Sequence, residues 1–169
     1  FRRVLFRSGR DAPDRQDAPG GDGHVGAFVA AAGGVDDTTV ALGVLAAHWR
    51  RQFDIPVIAV AGSNGKTTVK EMIAACLRVH YGDEAVLATR GNLNNHIGLP
   101  LTLLTLREAH RVGVVEVGMN HPGETAELAK IAAPTIAVIN NAQREHQEFM
   151  RSVADVADEH ASLIQALPD

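Results

Sequence analysis

Cysteine, long apolar runs and an excess of basic charge are scarce or missing in this chain of 169 residues. Its single cysteine, Cys76, cannot form an internal disulfide, and because it lies in an apolar helical pattern we expect a buried thiol rather than a nucleophile. No apolar run approaches the roughly 20 residues that a membrane-spanning helix needs. With 16 basic against 20 acidic residues, no positive field indicates binding to nucleic acid or to an anionic membrane. We therefore expect a cytoplasmic protein without membrane insertion, and a monomer.

The first 35 residues differ in composition from the rest of the chain. Residues 1–10 carry four arginines and no acid, and residues 11–23 are rich in Asp, Pro and Gly. Neither stretch has the periodicity of a packed element, and the Ser-rich continuation of an organelle-targeting peptide is missing. We expect residues 1–35 to be a disordered, remnant or non-native segment and residues 36–169 to form the folded domain.

After this segment, apolar strands alternate with amphipathic helices. Strands are predicted at residues 57–61, 85–89, 112–117 and 134–139, and helices at 36–52, 67–80, 101–106, within 121–133 and at 152–166. This alternation predicts right-handed crossovers and a mostly parallel sheet covered on both faces, which is a three-layer α/β/α fold. In such sheets ligands bind at the carboxyl ends of the strands, so the segments that follow the strands should share one edge.

A glycine-containing turn joins the first predicted strand to its helix, with the sequence Gly62-Ser63-Asn64-Gly65-Lys66-Thr67-Thr68. The glycines let main-chain N–H groups face an anion, and the helix N-terminus adds a partial positive charge. Lys66 would reach the β- and γ-phosphates, and the Thr67 hydroxyl would ligate Mg²⁺. A stricter phosphate loop has glycine where this chain has Val60, and the alternative is an ordinary strand-to-helix turn. The pattern favours a site for ATP and Mg²⁺.

Polar residues also follow or interrupt the other predicted strands. Glu116 interrupts an apolar strand, and because an unpaired buried carboxylate is costly we expect it to hold Mg²⁺; a backbone N–H or an arginine is the alternative partner. His146, in a polar loop, could bind a second metal ion or the γ-phosphate, or be an ordinary surface histidine. The asparagine-rich loop 90–98 suits a polar or phosphorylated substrate, although Asn and Gly also form plain turns.

Four segments of the chain together resemble the ATP-dependent Mur ligases of peptidoglycan synthesis. They are residues 62–72 (GSNGKTTVKEM), residues 91–100 (GNLNNHIGLP), residues 116–124 (EVGMNHPGE), and Asn140-Asn141 with His146. The resemblance runs from about residue 36 to residue 167 and includes the short phosphate loop. It implies the central ATP-binding domain of such a ligase, truncated at its carboxyl end.

The resemblance implies an amide ligase that joins D-alanyl-D-alanine to UDP-N-acetylmuramoyl-tripeptide through an acyl phosphate. Cations must then screen the approach of a carboxylate to the γ-phosphate of ATP. On this resemblance the catalytic residues are Lys66, Glu116 and His146, and the ligands of Mg²⁺ are Thr67, Glu116 and His146. ATP would be held by Gly62, Ser63, Asn64, Gly65, Lys66, Thr67, Thr68, Asn140 and Asn141. The substrate would be contacted by Asn92, Asn94 and Asn95.

The resemblance is incomplete in two respects. Many family members carry a lysine that becomes a carbamate in the helix after the His146 loop, and the aligned position here is His160. A histidine cannot form that carbamate, so the second metal would be held differently, or His160 lies on a solvated helix face. Because full-length relatives have further domains, we expect this chain alone to be inactive. A folylpolyglutamate synthetase-like ligase and a nucleotide-binding module or ATPase that makes no amide are the alternatives.

Overall fold

The structure is a computed structural model, and it describes residues 37–146 and 148–168. Helices and strands alternate along these residues as the sequence predicts. In chain order they are α1 (Thr38–Arg50), β1 (Val57–Ala61), α2 (Lys66–Tyr81), β2 (Val86–Ala88), α3 (Gly98–Leu103), β3 (Val112–Glu116), α4 (Glu124–Ala132), β4 (Ile136–Ile139) and α5 (Val153–Gln165). The predictions for residues 1–35 lie outside the described residues.

The four strands form one parallel sheet in the order β2-β3-β1-β4. At its centre Ala59 lies opposite Val115 on one side and Ala137 on the other. Since all four strands run the same way, the segments after Ala61, Ala88, Glu116 and Ile139 reach the same edge of the sheet. The predicted α/β fold with a mostly parallel sheet is confirmed.

Both faces of the sheet are covered because successive strand residues point to opposite sides. Ala59 and Val115 are fully buried in a cluster to which α1, α3, α4 and α5 contribute. Val60 and Val114 are fully buried on the other face, where α2 packs. This arrangement is the predicted three-layer α/β/α order, and it leaves the ends of the strands free to carry polar loops.

Side chains define where several helices begin. The Asp37 carboxylate accepts the N–H groups of Thr39 and Val40 at 2.8 and 3.2 Å and so starts α1. Ser152 and Asp155 form the predicted capping box of α5, in which each side chain accepts the other residue's backbone N–H, at 3.1 and 2.9 Å.

Several predicted boundaries were wrong by a few residues. Helix α3 begins at Gly98 rather than at residue 101, because the Asn95 side chain accepts the N–H groups of Ile97 and Gly98 at 3.1 and 2.8 Å. Pro100 therefore lies inside the first turn, where its missing N–H costs no hydrogen bond. Strand β2 has three residues instead of five, since Asp83–Ala85 form a 3₁₀ turn, and β4 starts two residues later than predicted.

The prediction that Cys76 is buried was wrong, because its side chain is exposed. Helix α2 packs on the sheet with the face that carries Ile73 and Leu77, and Cys76 lies outside that face. Met72 and Val79, also outside the packed face, are 64% and 91% exposed. The helix is apolar on both sides, so its pattern did not show which side is buried.

Among the described residues, no helix combines the length and the apolar character that crossing a bilayer requires.

A buried arginine joins α1 to the core. Arg50 is 5% exposed, and its guanidinium donates to four backbone carbonyls. They belong to Phe53 (2.6 Å), Ile55 (3.0 Å), Ala132 (3.1 Å) and Ala133 (3.3 Å). Burial lowers the pKa of Arg50, and the charge of Asp54 partly opposes this shift. The side chain thus connects the end of α1 to the approach to β1 and to the end of α4.

Candidate phosphate-binding site

The loop 62–66 leaves β1 and turns directly into α2. Gly62 has φ of +135° and Gly65 has φ of +75°, values that disfavour any residue with a Cβ. A Cβ on Gly62 would lie 3.0 Å from both the backbone N and the backbone O of Asn141. No side chain among the described residues caps α2 at Gly65. The N–H groups of its first turn are therefore available to an anion, as the sequence predicts for a phosphate loop.

The Lys66 side chain folds back over this loop. Its Nζ donates to the backbone oxygens of Gly62 at 2.7 Å and Ser63 at 3.3 Å. Two carbonyls thus hold a partly exposed ammonium group beside the helix N-terminus. An ammonium in this place adds a full positive charge to the partial charges of the loop N–H groups.

Glu116 is the buried acid of the site, with 1% of its surface exposed. Its Oε2 accepts the Thr67 hydroxyl at 2.9 Å, and its Oε1 accepts the Asn94 amide at 2.8 Å. The alternative partners considered from sequence, a backbone N–H or an arginine, are not the ones seen. The contacts unite the end of β3, the start of α2 and the loop after β2. Lys66, Thr67, Glu116 and Asn94 therefore belong to one site at the predicted edge of the sheet.

Asn140 and Asn141 support the loop from the β4 side. Their Nδ2 atoms donate to the backbone oxygen of Asn64 at 2.7 and 3.0 Å, and Asn141 Oδ1 accepts the Asn64 N–H at 3.1 Å. The Ser63 N–H also donates to the backbone oxygen of Asn141 at 3.1 Å. These side chains hold the phosphate loop in place, and their predicted contact with ATP stays a prediction.

The three asparagines expected to contact the substrate have different surroundings. Asn94 is bound to Glu116, and its backbone oxygen accepts the Gly118 N–H at 2.9 Å. The Asn95 side chain caps α3, as described above. Asn92 is exposed. The structure thus brings Asn94 to Glu116, while the contact of these residues with a substrate stays a prediction.

His146 lies after β4 with a left-handed φ of +47°. Its side chain is 36% exposed, and its Nε2 is 3.9 Å from Glu145 Oε2. Its backbone oxygen accepts the N–H groups of Phe149 and Met150 at 2.8 and 2.9 Å. Within residues 37–146 and 148–168, no group of three or more His, Cys, Asp or Glu side chains is arranged to hold a metal ion. The metal role of His146 stays a prediction.

Two residues that are not among the predicted ligands, Glu145 and His160, lie at the same loop. Glu145 Oε1 accepts the Ser63 hydroxyl at 2.8 Å and lies 3.2 Å from His160 Nε2. His160 is 2% exposed, so the alternative that it lies on a solvated helix face was wrong. The apolar residues Val156 and Leu163 flank it at helical spacing, and that pattern could have placed it on the buried face. Burial lowers the pKa of His160, against the charge and hydrogen bond of Glu145.

Lys70, on α2, is a further residue that is not among the predicted ligands. Its side chain is a fully buried cation. Its Nζ donates to the backbone oxygens of Thr89 at 2.6 Å and Gly91 at 3.0 Å, and to the Glu71 carboxylate at 2.6 Å. The Thr89 hydroxyl in turn accepts the Glu116 N–H at 3.0 Å. Lys70 thereby fixes the start of the loop that carries Asn94.

Comparison with known proteins agrees with this geometry. Residues 60–169 match the family described as the Mur ligase middle domain. The chain belongs to this family. The UDP-N-acetylmuramoyl-tripeptide--D-alanyl-D-alanine ligase of Haemophilus influenzae is 46% identical over 134 residues, which are 79% of this chain and 29% of that protein. The enzyme of the same name from Escherichia coli is 44% identical over 135 residues, 80% of this chain and 29% of that protein.

Solved structures show the same relationship. MurF from Acinetobacter baumannii has a TM-score of 0.74 and 38% identity, over 79% of this chain and 29% of that chain. MurF ligase from Thermotoga maritima, solved in complex with ADP, has a TM-score of 0.71 and 32% identity, over 79% of this chain and 30% of that chain. The resemblance drawn from the four motifs is confirmed. The chain spans about 29% of the length of the curated relatives it matches.

Proposed function

We propose that this chain provides the phosphate-binding core of an ATP-dependent amide ligase that joins D-alanyl-D-alanine to UDP-N-acetylmuramoyl-tripeptide. The observation that carries the proposal is the Thr67–Glu116 pair, 2.9 Å apart, beside the phosphate loop and Lys66. The names of the relatives support the ligase, and the ADP complex of one of them supports nucleotide binding. We place residues 36–169 in the central ATP-binding domain, and the protein in the cytoplasm as a monomer.

The donor set at this pair fits Mg²⁺. A carboxylate and a hydroxyl oxygen are the ligands that a hard cation prefers, and Mg²⁺ on a nucleotide needs only one or two protein ligands beside phosphates and water. Thr67 Oγ1 and Glu116 would hold the ion, while Asn94 fixes the other carboxylate oxygen. When bound, Mg²⁺ would supply charge neutralisation to the phosphates.

Other residues of the chain would bind the phosphates and stabilise the charge that develops during phosphoryl transfer. The N–H groups at the start of α2 and the Lys66 ammonium would bind the β- and γ-phosphates and stabilise the charge that develops on them during transfer. Attack by a substrate carboxylate on the γ-phosphorus would break its bond to the β–γ bridging oxygen, release ADP and form an acyl phosphate. The amine of D-alanyl-D-alanine would then displace phosphate. His146 would contact the γ-phosphate or a second cation.

The metal role of Glu116 is tested with Glu116→Gln. The glutamine oxygen can still accept the hydrogen bond of the Asn94 amide, and the Thr67 hydroxyl can rotate to accept one from the glutamine amide. We therefore expect the fold to persist. A charged ligand contributes about 2 kcal/mol, so the affinity for ATP in the presence of Mg²⁺ should fall about 30-fold by calorimetry, and the gain in affinity from Mg²⁺ should disappear. Glu108→Gln, at an exposed position, is the control. An unchanged Mg²⁺ dependence in Glu116→Gln would exclude this residue as a metal ligand.

The ligase reaction is tested with the protein expressed from the complete reading frame that encodes this chain. Phosphate release from ATP should require both UDP-N-acetylmuramoyl-tripeptide and D-alanyl-D-alanine. Phosphate release without these substrates would instead support an ATPase that makes no amide.

A further inference from the structure

The carboxylate of Glu145 and the buried imidazole of His160 lie next to the phosphate loop, on the side of the loop after β4. The Ser63 hydroxyl lies 2.8 Å from Glu145 Oε1 and 3.2 Å from the backbone oxygen of Gln143, so its one hydrogen is directed to the nearer carboxylate. The hydroxyl oxygen accepts the Gln143 N–H at 2.9 Å. Ser63 is 9% exposed, and the Glu145 side chain is 14% exposed. Because Ser63 and Glu145 are 82 residues apart, this bond connects the loop after β1 to the loop after β4.

The position of the proton on His160 follows from its partner. A carboxylate only accepts hydrogen bonds, so the 3.2 Å contact between His160 Nε2 and Glu145 Oε1 assigns the hydrogen to Nε2. The other ring nitrogen, Nδ1, is buried and has no hydrogen-bond partner among the described residues. A proton on Nδ1 would be an unpaired buried donor, so the neutral Nε2–H form is favoured. His160 thus serves as a fixed donor that orients Glu145.

A negative charge beside a phosphate site would by itself weaken the binding of an anion. The contribution of Glu145 must therefore come through what it holds in place. The backbone oxygen of Ser63 is one of the two that bind the Lys66 ammonium, at 3.3 Å. Fixing the Ser63 side chain consequently fixes the carbonyl that locates Lys66.

We propose that Glu145, oriented by His160, is a positioning residue that holds Ser63 and thereby sets the phosphate loop and the Lys66 ammonium in their binding geometry. This inference rests on the proposed nucleotide site and assigns to that site two residues outside its predicted ligands. It predicts that a hydrogen-bond acceptor at position 145 and a hydrogen-bond donor at position 160 are enough for nucleotide binding, whether or not these side chains are charged.

The test compares variants that keep or remove these groups. Glu145→Gln keeps the side-chain acceptor for Ser63, and Glu145→Ala leaves only the more distant backbone oxygen of Gln143, at 3.2 Å. His160→Gln keeps an Nε2 donor, and His160→Leu removes it. Glu148→Gln changes an exposed acid of the same loop and is the matched control. The dissociation constant of ADP with Mg²⁺ is measured by calorimetry, and folding is monitored by thermal unfolding.

We expect Glu145→Ala to weaken ADP binding about tenfold, the value of one hydrogen bond to a charged group, while Glu145→Gln stays within about threefold of the wild type. His160→Leu should weaken binding and His160→Gln should preserve it. Glu148→Gln should bind as the wild type does. If Glu145→Gln binds as poorly as Glu145→Ala, or if Glu145→Ala binds as well as the wild type, the positioning role is refuted.

A double-mutant cycle keeps the test decisive if one variant is unstable. Ser63→Ala removes the hydroxyl directly and should reproduce the loss seen in Glu145→Ala, so the double variant should be no worse than either single variant. Additive losses would refute the coupling.

A readout without ligand separates this inference from the nucleotide site. Amide hydrogen exchange of residues 62–66 should accelerate in Glu145→Ala and not in Glu145→Gln. If the wild type fails to bind ADP while this exchange pattern holds, the proposed function fails and the positioning role stands. Equal exchange in all variants would overturn the positioning role.

Discussion

Replacing Gly62 with alanine tests the geometry of the phosphate loop. Two effects act at this position: the positive φ of +135°, and the 3.0 Å approach of a new Cβ to the backbone N and O of Asn141. An unfavourable backbone conformation costs about 1–3 kcal/mol. An overpacked contact with backbone that cannot rotate away adds about 1–3 kcal/mol. We therefore expect Gly62→Ala to lower the free energy of unfolding by about 2–6 kcal/mol, by the sum of these ranges.

Gly82→Ala is the matched control for this experiment. Gly82 ends α2 with φ of +89° and ψ of 156°, so alanine meets a comparable backbone cost there, but its Cβ would find no atom within 4 Å. Urea denaturation should show Gly62→Ala to be less stable than Gly82→Ala by about 1–3 kcal/mol, which is the steric part alone. Calorimetry should show weaker ADP binding only in Gly62→Ala. Equal losses of stability and equal ADP affinity in the two variants would refute this account of the loop.

Two further predictions concern the fold around the site. Arg50→Met should lower the free energy of unfolding by about 3 kcal/mol, because four backbone carbonyls lose a buried charged donor. Urea denaturation measures this change, and Arg51→Met, at an exposed position, is the control. The pKa values of His160 and His110 are both lowered by burial, so below pH 6.5 the unfolded chain binds more protons than the folded one. The melting temperature should therefore fall between pH 7 and pH 5, and less steeply in His160→Gln; a melting temperature that rises in this range would contradict the burial argument.

Local signals in the sequence predicted most of the scaffold. Strand β1 has the predicted bounds, because its apolar run is bracketed by Pro56 and Gly62. The start of α3 was missed, since a side chain three residues earlier supplies the cap. The exposure of Cys76 was missed because α2 carries apolar residues on both faces and only packing selects one.

In the site, too, local sequence patterns predicted some residues, and contacts between distant segments could not be predicted. Lys66 and Thr67 could be placed from local spacing, and Glu116 from its interruption of an apolar strand. The Ser63–Glu145 bond could not be predicted, because neither residue is unusual in its own loop and they meet only when β1 and β4 lie side by side. His160 could have been placed from the spacing of Val156 and Leu163, which puts it on the buried stripe of α5.

The binding of ATP with Mg²⁺ to Lys66→Ala, measured by calorimetry, tests the central claim most directly. Among residues 37–146 and 148–168, Lys66 Nζ donates hydrogen bonds to two backbone oxygens and to no side chain, so the variant should fold, as thermal unfolding will verify. Loss of one ammonium–phosphate contact should weaken binding at least about tenfold. Lys130→Ala, at an exposed position on α4, should bind as the wild type does. Equal affinity of Lys66→Ala and the wild type for ATP would contradict a phosphate site at this edge of the sheet.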